Sequence, residues 1–326
     1  MLYVVSGAAG FVGSNLTDRL LSEGHRVIGV DCFRDYYDPR IKRRNLSRAI
    51  ARKTFQLLEL DLSRDTLEPL EQAIGSRTFI VYHLSAQAGV RKSWGRSFQH
   101  YVRDNVQATQ RLLEWCKGRE NLQNLVYSSS SSVYGNVDSM PMREDTSIPR
   151  PYSPYGVTKL AGEHLVHLYG ANYGMPWVAC RLFTVYGPRQ RPDMAFSRFI
   201  EAAMEDRPIT IFGDGKQARD FTYVGDIVEG FRRVETIKDR EVINLGRGER
   251  VRLLEVLSAL SEILGKHIEV EYVEDQKGDV RDTWASVDKA RKLLGWEPEV
   301  DIFEGLAGQV EWTKTLSKAK SRSVSG

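Results

Sequence analysis

At 326 residues the chain is longer than one typical domain, so two domains, or one large domain with an elaborated end, are expected. A net charge of +3 on 46 basic and 43 acidic residues argues against a nucleic-acid partner, and 41% hydrophobic with 27% charged residues describes a soluble globular protein. No run approaches 18 consecutive apolar residues, and Cys32, Cys116 and Cys180 share no metal or disulfide spacing, so a cytoplasmic protein with no metal and no membrane span is expected.

Leu2-Tyr3-Val4-Val5 is an unbroken apolar run, as expected of a parallel strand buried on both faces. Met1 leads straight into it and leaves no room for a signal peptide. Gly7-Ala8-Ala9-Gly10-Phe11-Val12-Gly13 follows, and helical periodicity runs from Ser14 to Ser22. Glycines at this spacing permit a tight turn, close approach to a pyrophosphate and close helix–strand contact, with the phosphates at the helix N-terminus. The second strand, Arg26–Val30, ends at Asp31, whose carboxylate can accept hydrogen bonds from adenosine ribose hydroxyls and would repel a 2′-phosphate. That favours NAD over NADP, although Arg34 and Lys42-Arg43-Arg44 lie close enough to leave the preference open. A third run, 55–60, ends at Asp61-Leu62, placed to meet the adenine. A fourth, 79–84, leads into Ser85-Ala86-Gln87-Ala88-Gly89, where small residues let backbone approach the cofactor. Together these make a dinucleotide fold.

Residues 98–118 read as one long amphipathic helix, with Asn105 either surface polarity or a brace for the active-site strand. The strand at 124–127 runs into five serines, 128–132, at a strand C-terminus where doubly wound sheets hold their chemistry. Tyr155 and Lys159 then stand four apart at the start of a segment that reads as helical from Lys159 to Tyr169. That spacing puts a phenol and an ammonium on one helix face. A nearby cation favours the phenolate, which can exchange protons with a sugar or alcohol hydroxyl.

Gly7, Gly10, Gly13, Asp31, the stretch 83–90, Ser130, Tyr155 and Lys159 together resemble the extended short-chain dehydrogenase/reductase family, in its nucleotide-sugar branch. The resemblance extends to about residue 312. It implies an α/β fold: a Rossmann-type doubly wound parallel sheet in residues 1–180, and a smaller C-terminal α/β substrate domain in 181–312. A segment near 219–247 is expected to return to the first domain, and 313–326 to form a basic, frayed tail. The resemblance further implies NAD as cofactor, a UDP-sugar substrate and a homodimer. Gly7, Gly10, Phe11, Val12, Gly13, Asp31, Asp61, Leu62, Ser85, Ala86, Tyr155 and Lys159 would hold the cofactor. Ser130 would be the catalytic hydroxyl, Tyr155 the acid/base and Lys159 the ribose-anchoring cation.

Three stretches sort the chain within that branch. Ser131 and Ser132 stand where dehydratases carry Asp-Glu, and neither can act as a general acid at neutral pH. The stretch from Arg181 through Thr184 and Arg191 to Met194 is similar to UDP-glucuronate 4-epimerases, as is Asp35-Tyr36-Tyr37-Asp38-Pro39. Oxidising C4 of a glucuronate makes a β-keto acid, which loses carbon dioxide when its C5–carboxyl bond stands perpendicular to the ketone plane. A hydroxyl at Thr184 and a planar guanidinium at Arg191 could hold the carboxylate away from that alignment. Arg219 and Arg281 resemble the arginines that contact the nucleotide diphosphate. Asp226 is expected to order its own loop. The activity implied is 4-epimerisation of UDP-glucuronate to UDP-galacturonate through a 4-keto intermediate, redox-neutral overall. UDP-glucose 4-epimerase and UDP-glucuronate decarboxylase remain alternatives, with a non-catalytic NAD-binding regulator the remote one.

Overall fold

The structure, a computed structural model, describes residues 1–237, 239–274, 280 and 282–324, with 317–324 given by their backbone only. Seven strands form one sheet: β1 (Leu2–Ser6), β2 (Arg26–Val30), β3 (Phe55–Leu58), β4 (Phe79–His83), β5 (Leu122–Ser130), β6 (Trp177–Leu182) and β11 (Glu241–Leu245). Their order is β11-β6-β5-β4-β1-β2-β3, every pairing parallel. The chain leaves β1 for β2 and β3 on one side and then returns to β4 on the other. That reversal opens a crevice at the strands' C-terminal ends.

The strands are apolar on both faces because both faces are covered. Tyr3, Val5, Val27, Ile80, Tyr82, Val126 and Val178 belong to one apolar core with helix α1 (Phe11–Ser22). Their neighbours Leu2, Val4, Ile28, Val81, Leu125 and Ala179 belong to a second core with Leu112 and Leu113. A third core, built from Tyr186, Phe196, Ile200, Ile209, Val256, Leu260, Leu306 and Val310, fills the smaller layer. There β7 (Thr184–Tyr186), β8 (Ile209–Phe212), β9 (Ala218–Arg219), β10 (Phe221–Tyr223), β12 (Val251–Arg252) and β13 (Val270–Val273) pair two by two. Residues 219–247 divide between the layers: β9 and β10 pair within the smaller one, while β11 closes the edge of the large sheet beside β6.

Four elements differ from the sequence reading. The segment 98–118 is not one regular helix: Phe98–Tyr101 and helix α2 (Ala108–Cys116) are joined by a π-helical turn, Val102–Gln107. Helix α3 (Pro154–Tyr173) starts a turn before Lys159, with Ser153 accepting from the Gly156 amide at 3.1 Å and proline in its first turn. Asp226 orders a distant loop and not its own, accepting the Glu299 and Val300 amides at 3.2 Å each. The last helix spans Ile302–Val324, so helical backbone continues into the segment expected to fray. Among the described residues no helix is long and apolar enough to cross a membrane.

Candidate active site

The loop between β1 and α1 is shaped to take a diphosphate. Gly7 has φ +72°, and a Cβ there would lie 2.9 Å from the Ser85 amide nitrogen. A Cβ on Gly13 would lie 2.1 Å from the Gly7 carbonyl, so the start of α1 sits against the turn with no room for a side chain. Helix α1 has no side-chain cap and no acidic residue in its first turn, which leaves its positive end and first amides for an anion. At the end of β2, Asp31 is buried and accepts the amides of Ala9 at 3.1 Å and Phe33 at 2.8 Å. Burial pushes its carboxyl above the ordinary range, against the pull of Lys42 and of those amides. Arg34 is committed elsewhere: its Nη2 meets Asp61 at 2.8 Å and Asp104 at 3.1 Å. Arg43 is paired with Glu59 at 2.8 Å. Two of the basic residues that left NADP open are thus held by carboxylates. The cradle, the uncompensated helix end and the buried acidic acceptor fit NAD.

Asp61 lines the same cavity, though its carboxylate already accepts from the Ser63 amide at 3.0 Å and hydroxyl at 2.6 Å. Beyond it, Asn105 ties two catalytic elements together. Its Oδ1 accepts the Gln87 amide at 2.7 Å, and its Nδ2 donates to the Gln87 carbonyl at 3.0 Å and to Thr158 Oγ1 at 2.9 Å. Asn105, which lies within the π-helical turn, therefore braces the loop after β4 against α3.

Ser130 ends β5, and Tyr155 and Lys159 occupy successive turns of α3. Burial raises the Tyr155 phenol, while its hydrogen bond to Ser130 and the charge of Arg191 draw it back down. Burial lowers Lys159 to about 7, opposed by the carboxylate of Glu163. The Lys159 ammonium lies 4.5 Å from the Tyr127 ring centroid. One turn beyond Lys159, buried Glu163 accepts from Ser129 Oγ and from Arg181, Nε at 2.9 Å and Nη2 at 2.8 Å. Sequence reasoning missed Glu163, although its spacing from Lys159 repeats that of Lys159 from Tyr155.

Thr184 and Arg191 line the same cavity. Arg191 pairs with Asp193, Nε to Oδ1 at 3.0 Å and Nη2 to Oδ2 at 3.1 Å, and Asp193 Oδ2 also accepts from Tyr36 Oη at 3.3 Å. Asp193 was also missed, its only sequence signal being its place two residues after Arg191. Arg219 lies on β9 and donates to its neighbour Ala218, outside the lining of the cavity. Arg281 lies outside the described residues.

One cavity of about 410 Å³ gathers Gly7, Gly10, Phe11, Val12, Gly13, Asp31, Asp61, Leu62, Ser85 and Ala86 with Ser130, Tyr155, Lys159, Thr184 and Arg191. Among the described residues no three His, Cys, Asp or Glu side chains gather as a metal site. Such a site brings a dinucleotide cradle into contact with a proton-transfer pair and a cationic fork.

The chain is similar to known proteins over nearly its whole length. An uncharacterized UDP-glucose epimerase of Bacillus subtilis is 41% identical over 97% of this chain and 99% of its own length. A UDP-glucuronate 4-epimerase of Thermodesulfobacterium geofontis is 40% identical over 96% of both chains. The crystal structure of UDP-glucuronic acid 4-epimerase from Bacillus cereus, in complex with UDP-glucuronic acid and NAD, superposes with a TM-score of 0.91. It is 43% identical and matches 97% of this chain and 100% of that one. Residues 3–246 match the NAD dependent epimerase/dehydratase family, and the chain belongs to it.

Proposed function

We propose that the protein interconverts UDP-glucuronate and UDP-galacturonate by epimerisation at C4. The observation that carries this reading is the one cavity lined by Ser130 and Tyr155 together with Thr184 and Arg191, a proton-transfer pair in the same space as a carboxylate-matching fork. Tyr155 takes the proton of the sugar 4-hydroxyl and returns it, with Ser130 holding the same oxygen. Lys159 supplies the positive charge and a donor to the cofactor ribose. NAD, held by the glycine loop and Asp31, would supply the acceptor and donor for the C4 hydride. Thr184 and Arg191 hold the carboxylate while C4 is a ketone. The family resemblance, and not the cavity lining, assigns Arg219 and Arg281 to the diphosphate, which must stay fixed while the sugar turns.

The protein is further proposed to work in the cytoplasm as a homodimer. Phe98, Val102, Val157 and Leu168 are large apolar residues exposed on the 98–116 segment and α3, the two elements that would meet a second copy. Substituting Leu168→Glu should convert a dimer to a monomer in sedimentation velocity; a wild-type monomer would remove this part of the reading.

The activity is tested by incubating the protein with UDP-glucuronate without added NAD and following the sugars by NMR. UDP-galacturonate is expected. A UDP-pentose with carbon dioxide would make the protein a decarboxylase. Turnover of UDP-glucose alone would favour the second reading, suggested by the name of the Bacillus subtilis relative, in which the substrate is a neutral UDP-hexose.

A further inference from the structure

The carboxylate fork is not a lone arginine. Asp193 occupies one edge of the Arg191 guanidinium, Nε and Nη2, at 3.0 and 3.1 Å. An arginine fork has two usable edges, and the one left over is Nη1 with the second N–H of Nη2. Asp193 is fixed in turn by the Tyr36 phenol at 3.3 Å, reaching over from the loop after β2. Tyr36 is itself confined. Gly89, with φ +107°, leaves the space its hydroxyl needs: a Cβ there would lie 2.7 Å from Tyr36 Oη. The Lys92 ammonium lies 5.0 Å from the Tyr36 ring centroid. The Arg191–Asp193 pair is only partly exposed; burial raises the Asp193 carboxyl, but Arg191, its own backbone amide and the Tyr36 phenol together hold it below the usual carboxylate range, so it stays ionised.

We propose that Asp193, held by Tyr36, is a positioning residue that sets which edge of Arg191 meets the substrate carboxylate and so determines whether the 4-keto sugar keeps or loses that carboxylate. The inference rests on the proposed uronate epimerase activity and deepens it. In the 4-keto sugar the C5–carboxylate bond can break, its electron pair passing into a C4–C5 enolate while carbon dioxide departs and a proton later returns to C5. The step needs the breaking bond perpendicular to the ketone plane. A fork locked by Asp193 presents one fixed pair of donors and holds the carboxylate away from that geometry. A fork able to rotate does not. Charge alone predicts something different: a carboxylate beside the site repels the substrate's carboxylate, so its removal would only tighten binding.

The test compares wild-type, Asp193→Asn and Tyr36→Phe proteins, each as the full chain, in 13C-labelled UDP-glucuronate. Carbon dioxide, UDP-galacturonate and UDP-pentose are quantified, KM is measured alongside, and thermal melting reports folding. Asparagine offers one acceptor oxygen and no charge, so it loses the two-oxygen, charge-assisted pairing that fixes both donors. In Asp193→Asn the ratio of carbon dioxide to epimer should rise about ten- to a hundredfold with KM unchanged or lower, the scale of losing a near-attack constraint. Tyr36→Phe, which removes only a supporting donor, should move the ratio in the same direction by less, and it carries the test alone if the asparagine variant does not fold. A wild-type protein that epimerises UDP-glucuronate, with variants that turn over at an unchanged ratio, would overturn this inference and leave the proposed function standing. A wild-type protein inactive on UDP-glucuronate would overturn both.

Discussion

Glu163→Gln tests how the catalytic helix is held. Glu163 and Arg181 form an ion pair with side chains 7% and 5% exposed, and Ser129 Oγ donates to the same carboxylate. The pair joins α3 to β6, and Ser129 joins both to β5, one residue before Ser130. Glutamine keeps the shape but leaves the Arg181 guanidinium buried without a counter-charge, which costs about 3–5 kcal/mol. Unfolding entropy near about 2.1 cal/mol/K per residue gives roughly 0.7 kcal/mol/K for a chain this long, so Tm should fall by about 4–7 °C. Calorimetry should record that drop. The double variant Glu163→Gln/Arg181→Met, which removes both charges, should recover most of it. Lys159 supplies an independent readout. With the Glu163 charge gone its pKa moves below about 7, so the alkaline limb of the activity profile, where Lys159 loses its proton, shifts to lower pH. A Tm drop under about 1 °C, or a double variant as unstable as the single one, would refute the ion pair's role.

Other outcomes follow from the same geometry. Gly13→Ala sets a methyl against backbone at the Gly7 carbonyl, and the purified variant should lose bound NAD by absorbance while unmodified protein retains it. Tyr155→Phe should lower turnover by about 10²–10⁴ with UDP-sugar affinity by calorimetry little changed, since only the proposed proton carrier is removed. His83 is buried between Ser6 Oγ at 2.8 Å and Thr109 Oγ1 at 3.0 Å, and burial with the Lys159 charge lowers it from 6.5 to about 3. The folded state keeps this ring neutral while the unfolded chain protonates it. Between pH 6.5 and about 3 the unfolded state therefore binds more protons, and stability falls with pH by about 1.4 kcal/mol per unit from this group. Urea unfolding at pH 7 and 4.5 should show a loss that His83→Gln reduces; equal slopes in both proteins would contradict it.

The sheet was legible because its strands are unbroken apolar runs, a pattern that survives without tertiary context. The misread boundaries have specific causes. The run 124–127 stops at the serines by composition, yet β5 continues to Ser130 because Ser128–Ser130 still pair with Cys180–Leu182 of β6. Ladder hydrogen bonds are indifferent to side-chain polarity. The 98–118 segment keeps three- and four-residue spacing of its buried positions across the π turn, at Tyr101, Asn105, Ala108, Leu112 and Cys116, so periodicity alone does not reveal it. Local motifs also carried much of the candidate site: the glycine loop, Asp31, Ser130, Tyr155 and Lys159 each sit at the end of an element that can be read alone. What could not be read were partnerships between distant segments. Tyr36 and Asp193 are 157 residues apart, and Arg34 and Asp104 are 70 apart. Nothing in either local pattern signals the other.

Those distant pairs share a consequence. Arg34 is matched by Asp61 and Asp104, Arg191 by Asp193, and Arg181 behind the site by Glu163. A cleft that takes two diphosphates could have been lined with bare cations, but in a low-dielectric site such charges would fix every anionic group in place. Pre-paired arginines offer directed N–H donors with most of their long-range attraction already spent. That suits a reaction whose sugar must turn over within the pocket. Lys159 is the contrast. Among the described residues no carboxylate stands within ion-pair distance of it, because Glu163 is occupied by Arg181 and Ser129, and its ammonium faces the Tyr127 ring. Buried without a direct counter-ion and lowered to about 7, it is the cation whose protonation an arriving anion can change. Binding of an anionic ligand near Lys159 should then draw in a proton near pH 7. Calorimetric titrations in buffers of different ionisation enthalpy measure that uptake directly. If the binding enthalpy is the same in every buffer, Lys159 was already charged, and its burial does not govern the site.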